Sequence, residues 1–318
     1  MAEGVAPCGP LFCVRSGRRI ERADHDIHEV SAVTHIVYFD CYSGASGDML
    51  LGALLHAGLS LEDLKADLAR LDLHGYDLTA EVQVRHGITG CKFDVVDLAG
   101  EHPARNLGLV RGLIEGSDLS DAIKARSTDV FTRLAEAEAH VHGTTVDAIH
   151  FHEVGAVDAV IDIVGFCCAI ERLGIEGIYA SALPLGSGMV TTEHGLLPVP
   201  APATLELLAA AGVPVAPSDA RGELVTPTGA AILSALARFE QPAMRVQQVG
   251  YGFGSRDFPW PNAVRAWIGE DLPERGARPS AAPSNHEHHH AHGEHEHAHG
   301  HDHPHAHEHE HPAEQREV

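Results

Sequence analysis

Positive charge is scarce in this sequence. Only 22 of its 318 residues are Lys or Arg, whereas 45 are Asp or Glu, and the formal net charge is -23 with neutral histidines. A surface this acidic repels phosphate backbones, so nucleic-acid binding is excluded as a function class. The same surface attracts cations, metal ions included, although simple solubility would explain the net charge by itself.

Aromatic residues, paired cysteines and long apolar runs are also rare or missing. Aromatics make up 5% of the chain and hydrophobic residues 44%, so the core must be built mainly from Ala, Val, Leu and Ile. The six cysteines include no CxxC pair, and a chain of this length needs no disulfides, which indicates reduced thiols in a cytoplasmic protein. Charged residues interrupt the first 30 positions, so we expect neither a signal peptide nor a membrane span.

Three zones of the chain differ in composition. Residues 1–34 form a leader that we expect to be disordered, residues 35–270 carry a globular pattern with room for two subdomains, and residues 271–318 form a flexible polar tail. Strand and helix patterns are mixed along the middle zone, which predicts an α/β fold, with α+β as the alternative. We expect a mixed sheet with flanking helices, followed by a disordered His-rich tail.

The hydrophobic periodicity of the middle zone predicts its individual elements. A strand is expected at 35–40, a hairpin over 77–99 with its turn near 87–90, and short strands across 177–200. Helices are expected at 48–56, 60–71, 155–173, 201–211 and 228–239, with two more between 104 and 142. Ser60 is the expected N-cap of the second helix, and Asp118 or Ser120 caps a later one.

The tail carries more than half of the 26 histidines, interleaved with Asp and Glu. Imidazole is a good ligand for nickel, zinc and copper, and a flexible chain of this kind can wrap several ions. The metal-ligand candidates are His288, His290, His292, His295, His297, His299, His301 and His303. A solvated linker or a purification tag is the alternative interpretation, but the run is interrupted and is followed by further residues.

A second cluster of potential ligands lies inside the globular zone. His150 and His152 point to one face of an extended segment, and Glu153 follows at the expected start of a helix. Asp158 and Asp162 are four residues apart, so they share one face of that helix, and two like charges there require a cation. This cluster predicts a metal or catalytic site. An N-cap glutamate and two salt-bridged aspartates are the alternative.

The loop after the first strand has the composition of an anion cradle. Asp40 ends the strand, small residues follow, and Asp48 opens a helix. Small residues let backbone amides approach a phosphate, whereas the two carboxylates would require Mg²⁺ between them and the anion. The predicted cofactor-binding residues here are Asp40, Ser43, Gly44, Ser46, Gly47 and Asp48. The loop is neither a Walker A motif nor GxGxxG, and a plain tight turn is the alternative.

Two further stretches have the composition of site loops. Residues 186–195 are rich in Gly and hydroxyl groups and end in Glu193 and His194, of which His194 is a metal-ligand candidate. Residues 223–229 contain Thr226 and Thr228, both cofactor-binding candidates, and we expect Thr228 to be a helix N-cap. Each stretch could equally be turn chemistry.

Taken together, these blocks resemble the LarC family of nickel insertion proteins. The matching segments are 39–49, 150–158, 161–165, 193–204, 223–230 and 250–254. The resemblance implies a nickel chelatase (cyclometallase) of the lyase class that places Ni²⁺ into a pyridinium bis-thiocarboxylate mononucleotide to form the nickel-pincer cofactor. It also implies CTP hydrolysis with Mg²⁺ or Mn²⁺, and a product that serves lactate racemase and related apoenzymes.

Family members usually continue past the His-rich stretch into a further domain thought to bind CTP. We therefore expect activity to need a separate C-terminal part, and we expect a homo-oligomer. We predict catalytic roles for His152, Glu153, Asp158 and Asp162. The predicted metal ligands of the folded part are His150, His152, Glu153 and His194. A nickel storage or delivery protein without catalysis is the alternative. A metal-dependent hydrolase is a third hypothesis, disfavoured because no nucleophile–base pair is evident.

Overall fold

A mixed β-sheet with helices packed against it organises the chain, as the sequence predicts. The structure is a computed structural model and describes residues 34–100, 105–151, 157–192 and 194–272, all within one compact unit. The strands are β1 (His35–Asp40), β2 (Tyr76–Arg85), β3 (Ile88–Asp97), β4 (Arg105–Asn106), β5 (His150–Phe151), β6 (Gly177–Ala180), β7 (Leu183–Pro184), β8 (Met189–Thr192), β9 (Gly195–Pro198), β10 (Val215–Ala216), β11 (Met244–Phe253) and β12 (Ala263–Asp271).

Seven helices are present in these described ranges. They are α1 (Gly47–His56), α2 (Leu61–Leu68), α3 (Leu107–Glu115), α4 (Asp121–His142), α5 (Val157–Arg172), α6 (Pro202–Ala211) and α7 (Pro227–Leu236). No helix in the described part of the chain is long and apolar enough to span a membrane.

The main sheet has six strands in the order β2-β3-β11-β12-β1-β6. The pairs β2–β3, β11–β12 and β12–β1 are antiparallel, whereas β3–β11 and β1–β6 are parallel. The apolar run of β1 is buried on both faces, with Val37 and Phe39 fully inaccessible to solvent. A strand covered on both faces reads as a continuous hydrophobic run, which is why the sequence predicts it well.

The predicted hairpin forms between β2 and β3, with its two-residue turn at His86 and Gly87. Both residues have positive φ, 49° and 78°, as a type I′ turn requires. A histidine in this region of φ is uncommon, because only glycine adopts it without strain. The hairpin is therefore confirmed, but its turn overlaps the expected 87–90 only at Gly87, because Gly90 already belongs to β3.

Helix α1 lies directly on β11. A Cβ atom at Gly250 or Gly252 would overlap backbone atoms of α1, at Ala53 and Met49 respectively. Glycine is therefore required at both positions, because the helix backbone occupies the space that a side chain would need. This contact fixes the helix relative to the strand and so positions the residues at the N-terminus of α1.

Side-chain caps begin several helices where the sequence predicts them. Ser60 and Ser120 each accept a hydrogen bond from the backbone N–H three residues further on. The prediction that Ser60 is an N-cap is therefore confirmed, and of the two candidates for the later helix the N-cap is Ser120 and not Asp118. The N-cap of α7 is Thr226, whose hydroxyl accepts the corresponding bond. The prediction that Thr228 is the cap is therefore wrong by two residues, because Pro227 already occupies the first helical position, which suits proline.

Four cysteines of the described residues are buried free thiols: Cys41, Cys91, Cys167 and Cys168. Burial raises the pKa of the Cys91 and Cys167 thiols to about 11. Thiolates rather than thiols act as nucleophiles and metal ligands, so these side chains are packing residues.

Candidate functional site

The N-termini of three helices line one cleft. Helix α1 follows its N-cap residue Ser46, α7 follows Thr226, and α5 begins at Val157. First-turn residues of all three helices line the same cleft of about 330 Å³, a size within the usual range for small-molecule sites. Helix N-termini carry partial positive charge and unpaired N–H groups, so their convergence favours an anionic group.

The side chains of this cleft, in contrast, are strongly acidic. Five carboxylate residues line it: Asp48, Asp94, Asp158, Asp162 and Glu223. Carboxylate oxygens are the preferred ligands of hard divalent cations such as Mg²⁺, which commonly bind through one or two carboxylates plus the phosphates of a substrate. The combination of helix N-termini and carboxylates therefore fits a divalent cation that also contacts an anionic group of a ligand.

A buried lysine offsets part of this negative charge. The ammonium of Lys92 lies 2.9 Å from Oδ2 of Asp48 and 2.6 Å from Oδ1 of Asp94, and it also donates to the Phe93 carbonyl. Burial alone would lower the pKa of Lys92, but the two carboxylates outweigh burial and raise it. Lys92 is therefore a fixed positive charge that orients Asp48 toward the cleft.

Asp162 is the unusual group of the site. Its side chain is only 8% exposed, and Oδ1 has no hydrogen-bond partner within the described residues. Burial, and next the negative charges of Asp48 and Asp158, raise the pKa of Asp162 well above its ordinary range, while Lys92 lowers it. A buried carboxyl with an unsatisfied oxygen requires either a proton or a cation.

The position of Asp162 depends on a glycine of the neighbouring helix. A Cβ at Gly47 would stand 2.5 Å from Cγ of Asp162, closer than real side-chain contacts allow. Gly47 is thus required by the close approach of the carboxyl and not by its own backbone conformation. Its role in binding a cofactor stays a prediction.

Hydroxyl groups complete the lining of the cleft. Ser46 donates a hydrogen bond to Asp48, and Thr226 and Thr228 lie 3.0 Å apart, oxygen to oxygen. All four of these residues, together with Asp158 and Asp162, line the cleft. The structure therefore brings together six residues that the sequence places in three separate motifs.

The remaining residues of the glycine loop face elsewhere. Asp40 forms an ion pair with Arg265 on β12, and Ser43 accepts a hydrogen bond from the indole N–H of Trp260. Gly44 has φ +96° and packs against the backbone of Leu224. None of these three loop residues lines the acidic cleft, so their described contacts are structural.

The histidine predictions are only partly within the described residues. His152, Glu153 and the eight tail histidines lie outside them, and of His150 only the backbone is described, paired with Asn106. The ring of His194 lies 4.8 Å from that of His142, whose Nε2 is 3.6 Å from Glu138. No group of three or more His, Cys, Asp or Glu in the described ranges is arranged to hold a metal ion.

Sequence reasoning missed Lys92 and Asp94, which belong to strand β3. The signal available was a lysine between the apolar residues Cys91 and Phe93, because a charged residue in such a run needs a buried partner. That signal does not identify the partner, which lies 44 residues away along the chain at Asp48.

Comparison with known proteins assigns this chain to a family. The sequence profile of the family described as nickel insertion protein matches residues 37–307. A protein of Desulfitobacterium hafniense (strain DSM 10664 / DCB-2), named pyridinium-3,5-bisthiocarboxylic acid mononucleotide nickel insertion protein, is 51% identical over 73% of this chain and 58% of its own length. A protein of Roseiflexus castenholzii with the provisional name of nickel insertion protein is 52% identical over 76% of this chain and 61% of its own.

The chain spans about 60% of the length of these curated relatives. No solved structure is significantly similar to it.

Proposed function

The chain belongs to the nickel insertion protein family, and we propose that it takes part in placing Ni²⁺ into pyridinium-3,5-bisthiocarboxylic acid mononucleotide. The observation that carries this proposal is the acidic cleft between α1, α5 and α7, and within it the buried carboxyl of Asp162 with its unpartnered oxygen. The substrate has a phosphate, a cationic ring and two anionic thiocarboxylates, and the cleft offers groups that complement charges of both signs.

The donor set of the cleft fits a hard divalent cation, in keeping with the Mg²⁺ or Mn²⁺ that the family resemblance implies. Asp158 and Asp162 would hold it together with an anionic group of the substrate, with the Thr226 and Thr228 hydroxyls beside them. Such a cation, when bound, would offset the negative charge of an anionic substrate group such as a thiocarboxylate. It would also favour the ionised form of Asp162, whose folded-state environment otherwise favours the proton.

Nickel itself is the metal being transferred, and it prefers nitrogen and sulfur donors more than the oxygen-rich cleft provides. We propose that His150, His152 and Glu153, which precede α5 in sequence, and the His-rich tail bring Ni²⁺ to the precursor. Metallation of the ring carbon releases a proton, and an ionised cleft carboxylate such as Asp158 would accept it. CTP use and delivery of the product to a lactate-racemase-type apoenzyme belong to the same proposal, with a separate C-terminal part where needed.

Storage or delivery of nickel without catalysis is the second candidate, because the tail concentrates more than half of the 26 histidines. Deletion of residues 284–311 separates the two. A storage protein would lose its function, whereas an insertion protein would only need more nickel.

The test compares Asp158→Asn with Asp121→Asn in the full chain. Both residues are exposed aspartates in the first turn of a helix, α5 and α4, so both substitutions remove the same interaction with a helix N-terminus. Mn²⁺ binding is measured by electron paramagnetic resonance, and nickel transfer to the precursor mononucleotide by mass spectrometry.

We expect Asp158→Asn to weaken Mn²⁺ binding about tenfold and to reduce nickelated product, and Asp121→Asn to match the unaltered chain. Equal Mn²⁺ binding and equal product from the two variants would refute the assignment of the cleft.

A further inference from the structure

The acidic cleft continues into a second compartment of opposite character. An intermediate cavity shares Ser46, Asp48, Glu223 and Thr226 with the acidic cleft. The same cavity shares Arg256 and Asn262 with a compartment lined also by Arg85, His86, Asp257, Phe258 and Trp260. The three cavities therefore form one groove whose lining changes from five carboxylates at one end to two arginines, two aromatic rings and a single carboxylate at the other.

The two arginines of this second compartment differ in how they are held. Arg85 donates from Nη1 to the Gly254 carbonyl at 2.5 Å and from Nε and Nη2 to Gln83, so its charge is fixed in place. Arg256 is exposed, and a Cβ at Gly222 would stand 2.5 Å from its Nη1. The glycine therefore leaves the space through which the Arg256 guanidinium reaches the groove.

Aromatic rings form the wall beside these arginines. Phe258 and Trp260 are stacked with ring centroids 5.2 Å apart and planes within 6° of parallel. The Trp260 indole N–H donates to Ser43 at 3.0 Å, and Ser43 lies 3.3 Å from Oδ1 of Asn262. The amide of Asn262 in turn donates to the Arg256 carbonyl. Ser43 of the glycine loop thus anchors this wall.

We propose that the compartment of Arg85, Arg256 and Trp260 binds the phosphate end of a pyridinium mononucleotide while its ring lies toward the acidic cleft. The inference rests on the function proposed above and adds the direction in which the substrate lies. A phosphate is dianionic and favours arginine. The other end of the molecule carries one positive ring and two thiocarboxylates, so it is less negative than the phosphate and is the end better tolerated beside carboxylates that hold a divalent cation. The opposite orientation would place the dianionic phosphate, the more negative end, among five carboxylates.

The orientation assigns a specificity role to Arg256. Its guanidinium recognises the phosphate, so it distinguishes a mononucleotide from the corresponding nucleoside. Arg85 contributes a charge whose N–H groups already have protein partners, and Trp260 contributes a flat surface against the sugar. Neither role requires contact with the metal.

The test uses nicotinic acid mononucleotide and nicotinic acid riboside as probes, since the two differ only in the phosphate. Affinities for both are measured by isothermal titration calorimetry for the full chain and for Arg256→Gln. Arg245→Gln is the matched control, because Arg245 is also an exposed arginine but pairs with Glu270 outside the groove. Mn²⁺ binding is measured on the same samples by electron paramagnetic resonance.

We expect the unaltered chain and Arg245→Gln to prefer the mononucleotide about tenfold or more over the riboside. Arg256→Gln should bind both probes with similar affinity and should retain Mn²⁺ binding. A preference that survives in Arg256→Gln, or no preference in the unaltered chain, would overturn the inference. If Mn²⁺ binding remains sensitive to Asp158→Asn in that case, the acidic cleft keeps its proposed function; if it does not, the proposed function fails separately.

Discussion

Replacing Gly47 by alanine tests the close approach between α1 and the buried carboxyl of α5. No positive φ requires glycine at this position, so the backbone would accept alanine, and helix propensity alone would favour it by up to about 1 kcal/mol. The new Cβ, however, would lie 2.5 Å from Cγ of Asp162 and would overlap it. Because the site is buried, the overlap can be relieved only by displacing the carboxyl. Overpacking of this kind costs about 1–3 kcal/mol, so we expect a net loss of about 1–2 kcal/mol.

The assay is urea unfolding followed by circular dichroism, with Gly112→Ala as the control. Gly112 is exposed within α3, and nothing lies within 4 Å of where its Cβ would be, so alanine should stabilise the protein by about 0.5–1 kcal/mol. The same chemical change should thus have opposite signs at the two positions, and only Gly47→Ala should weaken Mn²⁺ binding. A Gly47→Ala protein as stable as the Gly112→Ala protein, with unchanged Mn²⁺ affinity, would refute the reasoning.

Two further predictions concern individual carboxyl groups. The pKa of Asp162 is raised well above 3.8 in the folded state, so the folded chain keeps a proton that the unfolded chain releases, and stability should fall as pH rises from about 4 through the folded pKa. Asp162→Asn should flatten this slope in urea titrations between pH 5 and pH 8 without divalent cations; an unchanged slope would contradict the assignment. Asp40→Asn removes the partner of an arginine on β12, and it should lower stability by about 1–3 kcal/mol in the same titrations. It should leave Mn²⁺ affinity unchanged, and a loss of Mn²⁺ binding would instead place Asp40 in the cation site.

The sequence predicts the helices and the buried first strand because their signals are local. Apolar runs with a period of 3.6, serine caps and one uninterrupted apolar strand identify most elements to within a few residues. Local patterns of this kind do not predict strand β11. Its first half is largely exposed and polar, and its second half is rich in glycine, which is typical of a loop in a sequence.

The glycines of β11 have a tertiary cause that no local pattern contains. Gly250 and Gly252 face the backbone of α1, which precedes them by about 200 residues. A sequence pattern can indicate that a glycine is needed at such a position. It cannot tell whether a turn, a ligand or a helix is the reason.

In the candidate site, too, local sequence signals predict some features, whereas others depend on tertiary packing. The positions of Asp48, Asp158 and Thr226 at or near helix N-termini follow from the sequence, each with turn or capping chemistry as an alternative. That these loops meet is a consequence of how α1, α5 and α7 pack, and no spacing along the chain encodes it. Ser43 belongs to the same glycine-rich loop as the cleft residues Ser46 and Asp48, but its hydroxyl contacts Trp260 and Asn262 outside the acidic cleft.

The contact between α1 and β11 also fixes the distance between the two ends of the groove. Helix α1 begins at the carboxylate end, and β11 leads at Phe253 into the segment that carries Arg256. Because backbone meets backbone at Gly250 and Gly252, the separation of helix and strand cannot be adjusted by exchanging one side chain for another of different size. The distance between the two charged ends of the groove is consequently set by the main chain, and selection for a longer or shorter ligand would have to act through insertions or deletions.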